Sequence, residues 1–372
     1  MARLFLSGNE AAALGALDAG CNFYAGYPIT PSSEIMHFMA KELPRRGGVF
    51  IQAEDELAAI NMVIGASWAG ARAMTATSGP GLSLMQEGLG YAAMTETPLV
   101  LIDVMRAGPA TGQATKAAQG DLMAARWGRH GDQYIPVLAP QSPQDAYDMV
   151  IEAFKISEEL RTPVIVLSDE FIGHGREVVY TREEVKIPSR RKPSKPDEDF
   201  FDSPDPRVPP PMPSVGEGYY VLVTGSTHNG KGYRDVHSFE THYKLVKRIK
   251  EKIWGNIEKI FKYNVLGDPS EAKKAIVCYG SVCRSAREAW RKLSVNQKLL
   301  LIELKTVWPI DYNRLRSLLE NVEKVVVPEL NLGQLVYDVM ACVDKTTIIE
   351  TVNKVGGGIP IYPSEIISAL ER

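Results

Sequence analysis

The sequence predicts an α/β protein in which a larger parallel-sheet domain, with helices on both faces, is followed by a smaller α/β domain. Three observations carry this expectation. Through residue 185, short apolar runs alternate with helical patterns rich in small residues, the order produced by parallel strands joined by crossover helices. Residues 186–218 break that order with "KIPSRRKPSKPDEDFFDSPDPRVPPPMPSVGEG", which holds nine of the 24 prolines and so can form neither a helix nor a central strand. Beyond residue 268 apolar runs resume. The expected units are therefore 1–185, a Pro-rich linker or extended arm at 186–218, a mixed connecting segment with a charged helix at 219–267, and the smaller domain at 268–372.

In chain order, the strands of the first unit are read from "NFYAGY", "GVFIQ", "ARAMTAT", "TPLVLIDV" and "TPVIVLSD". In "YPITPS" two prolines fix a turn before a helix starting near Pro31, with Thr30 or Ser32 placed to cap it. "SFETHYKLVKRIKEKIWGNIEKIFK" has helical periodicity and a heavily charged face. Strands then follow in "KKAIVCYG", "KLLLIEL" and "KVVVPEL", with helices between them near residues 284–294 and 311–320. No tandem repeat is present.

Composition narrows the function. A net charge of -3 gives no general attraction to nucleic acid or anionic lipid. No run approaches the roughly 18 consecutive apolar residues of a membrane span, and "MARLFLSGNEAAAL" reaches Asn9 and Glu10 before any sustained apolar region. We therefore expect a cytoplasmic protein without nucleic-acid or membrane partners. Cys21, Cys278, Cys283 and Cys342 are too scattered for a disulfide scaffold, and the one close pair has no second pair to complete a four-thiolate site. They read as buried reduced thiols.

The chemistry concentrates where the strand "VFIQ" runs into Glu54, Asp55 and Glu56. Three carboxylates at a helix start suit the macrodipole, and that alone would explain them. Glu56, however, is followed at helical spacing by Ala59, Ile60 and Val63, which puts it on the apolar face and leaves Asp55 off it. A carboxylate held there can share a proton with a ligand nitrogen. Three other stretches stand out. "TSGPG" follows a strand and opens a helix, so Gly79 and Gly81 either permit close backbone approach or make the turn. "MRAGPATG" places Arg106 at the carboxyl end of a strand, where open α/β sheets bind ligands. "GSTHNGKG" nearly spells a phosphate loop, but Gly232 stands where Ser or Thr must follow the lysine to hold magnesium, so it reads as a surface loop.

Glu56 with Ala59 after it and Gly65 nine positions on resembles the pyrimidine-binding domain of thiamine diphosphate enzymes. Within that superfamily "GYPITPSSE", "EDELAAINMVIGAS", "TATSGPGLSLM", "MRAGPATG" and "QGDLMAARWGRHGD" together resemble the alpha subunit of 2-oxoacid:ferredoxin oxidoreductases, and "YGSVCRSAREA" and "LKTVWPID" resemble the transketolase C-terminal-like domain that follows in those subunits. The resemblance implies that Glu56 hydrogen-bonds the aminopyrimidine ring of thiamine diphosphate, favours its imino tautomer and so starts proton removal from the thiazolium carbon. It implies further that Pro28 packs on the cofactor and that Thr30 and Arg106 hold the substrate carboxylate. The expected reaction is oxidative decarboxylation of a 2-oxoacid, with electrons passed singly through iron–sulfur centres to ferredoxin and the acyl group taken by coenzyme A. The superfamily's diphosphate and magnesium signature, Gly-Asp-Gly followed by an asparagine, is absent, since "QGDL" and "HGDQ" lack the second glycine. A beta subunit is therefore expected to supply Mg2+, the diphosphate pocket and a 4Fe–4S cluster, with any further domain on separate gamma and delta chains or missing.

Within this family "GYPITPSSE" and "ARWGRHGD" look more like the 2-oxoglutarate branch. A five-carbon diacid needs a second contact, from Lys116, Arg126, Arg129 or a partner residue. An enzyme for pyruvate or a branched-chain 2-oxoacid is the near alternative. From another class, the chain could be a non-catalytic structural subunit or a nucleotide-binding module using Lys231.

Overall fold

The structure, a computed structural model, describes residues 2–372. Among the described residues the first part of the chain forms β1 (Arg3–Ser7), α1 (Gly8–Asp18), β2 (Phe23–Gly26), α2 (Ser33–Glu42), β3 (Val49–Gln52), α3 (Glu56–Trp68), β4 (Ala73–Thr77), α4 (Gly79–Met94), β5 (Leu99–Ala107), β6 (Gln113–Ala117), α5 (Leu122–Trp127), β7 (Val137–Leu138), α6 (Pro143–Leu160), β8 (Pro163–Asp169), α7 (Glu170–His174) and β9 (Arg176–Tyr180). After the Pro-rich stretch come α8 (Phe239–Trp254), α9 (Ile257–Ile260), β10 (Tyr263–Leu266), β11 (Lys274–Tyr279), α10 (Val282–Leu293), β12 (Leu299–Leu304), β13 (Thr306–Trp308), α11 (Tyr312–Leu319), β14 (Lys324–Glu329), α12 (Val336–Met340), β15 (Ile348–Asn353) and α13 (Pro363–Glu371).

The main sheet runs β13-β7-β8-β5-β4-β2-β3, with β6 folded back on the end of β5. Its strands β2, β3, β4, β5, β7 and β8 are parallel, so their carboxyl ends share one edge. Alternation along β5 shows how the sheet is covered on both faces. Leu101 and Met105 pack with α3 and α4, while Val100, Ile102 and Val104 pack with α1 and α6. By the same alternation Asp103 lies on the face of Leu101 and Met105. β1 and β9 pair separately as a small antiparallel ribbon.

The second sheet, β10-β12-β11-β14-β15, is parallel except for β10. β13, although it follows β12, leaves this sheet and adds antiparallel to β7 of the first. One apolar cluster accordingly runs from Ile60 and Leu89 of the first unit to Val277 and Ile302 of the second. The two sheets share a core.

The Pro-rich stretch is an extended arm packed onto the first domain. Phe200, Phe201 and Met212 are buried, and the sequestered Arg161 guanidinium donates to the carbonyls of Phe200 (2.7 Å), Pro210 (3.1 Å) and Pro211 (2.8 Å). The charged helix α8 is amphipathic as its spacing predicts, yet its inner face carries Arg248 and Lys252. Both reach Glu96, which is wholly buried in the turn between α4 and β5, at 2.5 Å and 2.6 Å. Burial pushes the Glu96 carboxyl up, but Arg248 and Lys252 outweigh it and hold the group well below the usual carboxylate range. No helix among the described residues is long and apolar enough to cross a membrane.

Because Glu96 is the anion that Arg248, Lys252 and Arg161 share, Glu96→Gln leaves buried cations uncompensated. We expect a loss of roughly 3–5 kcal/mol, read as a lowered denaturation midpoint. The depressed group contributes its stability above the ordinary carboxylate range and loses it as pH falls through its own lower value, so the difference between wild type and variant should shrink in strong acid.

Candidate functional site

The carboxyl ends of β2, β3, β4 and β5 bring the predicted residues to one rim of the sheet. After β3, Asp55 takes extended backbone and caps α3, its Oδ1 accepting the Ala58 N–H at 2.7 Å. Glu54 and Asp55 are exposed, whereas Glu56 turns inward and keeps 5% of its exposure. The acidic run thus divides into a solvated residue, a helix cap and a buried carboxylate. The Glu56 carboxylate makes no hydrogen bond or ion pair with another described residue.

Its neighbour is the first turn of α4, where Gly81 is required. A Cβ there would stand 2.0 Å from Thr77 Oγ1 and 2.6 Å from Glu56 Oε1. The bare backbone lets the carboxylate lie against the turn, and Gly81 donates its own N–H to Ser78 O at 2.7 Å. A sheltered acceptor without an internal donor suits a ligand N–H, and a heteroaromatic ring nitrogen of the kind expected for an aminopyrimidine fits these residues.

Arg106 ends β5 with 6% exposure. Its Nη1 donates to Thr30 O at 2.7 Å and its Nη2 to Thr111 O at 3.1 Å, while Nε is buried without a partner. No carboxylate pairs with it among the described residues, so its charge is directed but not quenched. Thr30 is exposed on the loop after β2 and Pro28 is half-buried on the same loop. Arg106 and Thr30 are thus joined directly, while Glu56 reaches the same rim without a hydrogen bond to either. The expected caps of α2 differ: Ser32 precedes the helix but its hydroxyl donates back to Ile29 O at 2.9 Å, and neither it nor Thr30 caps through a side chain.

The cations considered for a distal group separate by their partners. Arg126 is committed to Asp338 (2.6 Å and 2.7 Å) and Tyr312 (2.9 Å), and stacks on Trp308. Arg129 is buried on Gln86 at 2.7 Å and the Ala125 carbonyl at 2.7 Å, its pKa lowered by desolvation to about 10. Lys116 is exposed and has no ion pair or hydrogen bond among the described residues. The four cysteines are free and buried, with Cys278 and Cys283 sulfurs 3.0 Å apart. Lys231 projects from a tight loop held by Asn229 Oδ1, which accepts its N–H at 3.0 Å. No group of three or more His, Cys, Asp or Glu side chains able to hold a metal occurs among the described residues.

Sequence reasoning missed three residues here. Asp103 and Asp121 are a facing pair of carboxyls beside Gly79, and with Arg106 the second of them borders a cleft of about 410 Å³ reaching Asn331 of the smaller domain. Asp103 was visible as a lone acid in the apolar run "LVLIDVM"; Asp121 was read only against Gly-Asp-Gly. Gln119 fastens the two domains: its Nε2 donates to Tyr279 O (3.1 Å) and Asp169 Oδ2 (3.4 Å), and its Oε1 accepts the Leu330 N–H (3.1 Å).

The family described as "Pyruvate flavodoxin/ferredoxin oxidoreductase, thiamine diP-bdg" matches residues 14–248, and "Pyruvate:ferredoxin oxidoreductase core domain II" matches residues 272–366. The chain is 50% identical over 357 residues to 2-oxoglutarate synthase subunit KorA of Methanocaldococcus jannaschii, covering 95% of each. Among solved structures, 2-oxoglutarate:ferredoxin oxidoreductase from Magnetococcus marinus, with 2-oxoglutarate, coenzyme A and succinyl-CoA bound, superposes with a TM-score of 0.93 at 33% identity over 99% of this chain and 65% of that one. A split-gene transketolase, an inactive tetramer, shares the fold at a TM-score of 0.58 and 15% identity, over 98% of this chain and 97% of that one.

Gln119→Ala strands the Leu330 N–H and the Tyr279 carbonyl in a buried seam. The expected loss is about 2–4 kcal/mol, detected as a lower unfolding midpoint together with faster hydrogen exchange at Leu330; unchanged exchange there would mean that the Gln119 side chain does not fasten the domains.

Proposed function

The chain belongs to the pyruvate flavodoxin/ferredoxin oxidoreductase family, and we propose that it is the alpha subunit of a 2-oxoacid:ferredoxin oxidoreductase acting on 2-oxoglutarate. The observation that carries the reading is Glu56, a carboxylate folded inward at a helix start, with no internal donor and a glycine turn cleared for it. Identity over nearly the full length to a 2-oxoglutarate synthase subunit supports the choice of substrate.

Thiamine diphosphate, when bound, supplies the carbon nucleophile and takes up the electron pair left as carbon dioxide departs. Glu56 would hold its aminopyrimidine ring, exchanging a proton with the ring nitrogen, and Pro28 would pack beside it. Arg106 and Thr30 would hold the substrate's C1 carboxylate, the guanidinium gripping it and the hydroxyl fixing its rotation. Both Nη atoms already rest on main-chain carbonyls, so the guanidinium is oriented before substrate arrives. Holding that carboxylate sets the neighbouring carbonyl in one pose, which is the positioning that makes attack effectively intramolecular.

Mg2+, the diphosphate pocket and the 4Fe–4S cluster belong to a beta subunit in this reading, with ferredoxin as electron acceptor and coenzyme A as acyl acceptor. The assembly would be cytoplasmic. For the distal carboxylate, Lys116 or a partner residue is the available cation, because Arg126 and Arg129 are committed.

Co-expression with the beta subunit tests this directly. Glu56→Gln should assemble yet lose about 10²- to 10⁴-fold in turnover, roughly 3–5 kcal/mol of barrier, whereas Asp55→Asn, which preserves a capping side chain, should change little. Equally mild effects of the two would reduce the acidic run to a helix entrance.

A second expectation concerns Arg106. Because it would hold the group common to all 2-oxoacids, Arg106→Lys should raise KM and slow turnover for pyruvate and 2-oxoglutarate alike, leaving the ratio of their kcat/KM values unchanged. Selective loss on 2-oxoglutarate would instead assign Arg106 to the distal carboxylate.

A further inference from the structure

We propose that Asp103 and Asp121 form a proton-sharing carboxyl pair that sets the charge Arg106 presents to the substrate anion, so that both are positioning residues for 2-oxoacid binding. The inference rests on Arg106 holding the C1 carboxylate. Its geometric basis is a set of buried groups that satisfy one another poorly by ordinary hydrogen bonds. Asp103 is wholly buried and neither of its oxygens receives a hydrogen bond from an N–H or hydroxyl; the Gly79 N–H points toward it but misses hydrogen-bond geometry. What Asp103 does meet is the Asp121 carboxyl, whose Oδ2 is also sealed without a donor.

Two facing carboxyls in a buried site cannot both be ionised, so one proton lies between them. Arg106, for its part, is a buried guanidinium with carbonyl partners only. The pair is therefore the source of negative charge built beside it. Ionised once, it offsets part of the guanidinium charge; protonated twice, it leaves that charge uncompensated and more attractive to an anion.

Burial is the main cause that raises both carboxyls, taking Asp103 well above its ordinary value and Asp121 to about 6, and these values belong to the pair as a unit. The sign follows. Below about 6 the pair is neutral and the site carries the full Arg106 charge; above it the pair is a monoanion and the attraction weakens. By linkage, a bound carboxylate must make the second proton easier to hold.

Other titratable groups border this region and need separating from the pair. Asp169, at the end of β8, is held by the Ile172 and Ser281 N–H groups at 3.2 Å and 3.0 Å. Glu329, at the end of β14, accepts the N–H groups of Gln334, Leu335 and Val336. Tyr279 bonds the Gln119 carbonyl at 3.2 Å and stays protonated, its pKa raised by burial. Glu56, the first residue of α3, lies beside Thr77 and Gly81 at the end of β4. None of these changes in the variants below.

The test is KM for 2-oxoglutarate in the complex assembled with its beta subunit, measured between about pH 5.5 and 8, where the distal carboxyl of the substrate stays ionised. Wild type should show KM rising as pH passes upward through about 6. Asp121→Asn, whose amide replaces the shared proton, should lose that break. The double variant D103N/D121N should lose it too and lower KM at the alkaline end about three- to tenfold. Should the double variant fail to fold, the single variant's profile decides, supported by the infrared carboxylic-acid band that the wild-type chain should show near neutrality and Asp121→Asn should lose. A break persisting in Asp121→Asn or in the double variant assigns it to another group, such as Asp169 or Glu329, and overturns the proposal. Arg106→Met separates the two layers: if it raises KM while the break survives in the carboxamide variants, only the pair's role falls; if it leaves KM unchanged, the reading of Arg106 falls and the pair's role with it.

Discussion

The first domain depends on one buried carboxylate, Glu96, in the turn that ends α4 and begins β5. Its backbone there is left-handed, with φ of 49°, a conformation that a glutamate adopts only when the surroundings hold it. Arg248 and Lys252 from α8 supply that hold, and Lys252 also donates to the Arg161 carbonyl at 2.7 Å, while Arg161 itself grips the arm. Clamping this turn fixes the register of two elements at once. The far end of α4 carries Gly79 and Gly81, and the far end of β5 carries Asp103 and Arg106. A rigid turn at one edge of the sheet therefore locates the site at the other, as positioning to a fraction of an ångström demands.

Set side by side, the two groups of buried charges have opposite character. Around Glu96 every ion has a counter-ion or a carbonyl in contact, and the cost of desolvation is offset locally. At the opposite rim, Glu56 has no donor, Asp103 faces another acid, and Arg106 lacks a carboxylate. Burying such groups without partners costs stability, and it is the two facing acids, Asp103 and Asp121, whose carboxyls burial pushes up. Lys252 illustrates the contrast: although burial pushes its pKa down to about 8, it is sealed from solvent and donates to Glu96 and the Arg161 carbonyl, so its perturbation is structural.

Much of this was legible in the sequence. Strands β2, β3, β4, β5 and β8 of the first sheet and β11, β12 and β14 of the second were marked by apolar runs, and the inward turn of Glu56 followed from its spacing to Ala59, Ile60 and Val63, all of which are buried. Other features depend on contacts that no local pattern encodes. Two residues, Val137 and Leu138, are too short a run to announce a strand, and β13 joins the first sheet only because β7 offers an edge. Arg248 and Lys252 are not distinguished in the sequence from the other charges of that helix, since their partner lies 152 and 156 residues away. Asp121 was weighed against a metal motif that it fails, whereas its role arises from Asp103, on a different element and opposite in space.

The short run "QGD" joins the two levels of organisation. Gln119 is the main polar fastening between the domains, and Asp121, two residues on, completes the carboxyl pair. Between them Gly120 offers its carbonyl to Gln334 of the smaller domain at 2.7 Å, so both sides of the segment are gripped by the second unit. Asp121 is consequently placed from without: the two residues before it are anchored to the turn after β14, while its carboxyl meets the end of β5. The smaller domain contributes no predicted catalytic side chain. Its contribution is geometric, because displacement of the Leu330–Gln334 turn would carry Asp121 away from Asp103 and leave a buried acid alone beside Arg106. Domain docking and the charge of the substrate site are thus a single constraint, expressed at two neighbouring residues.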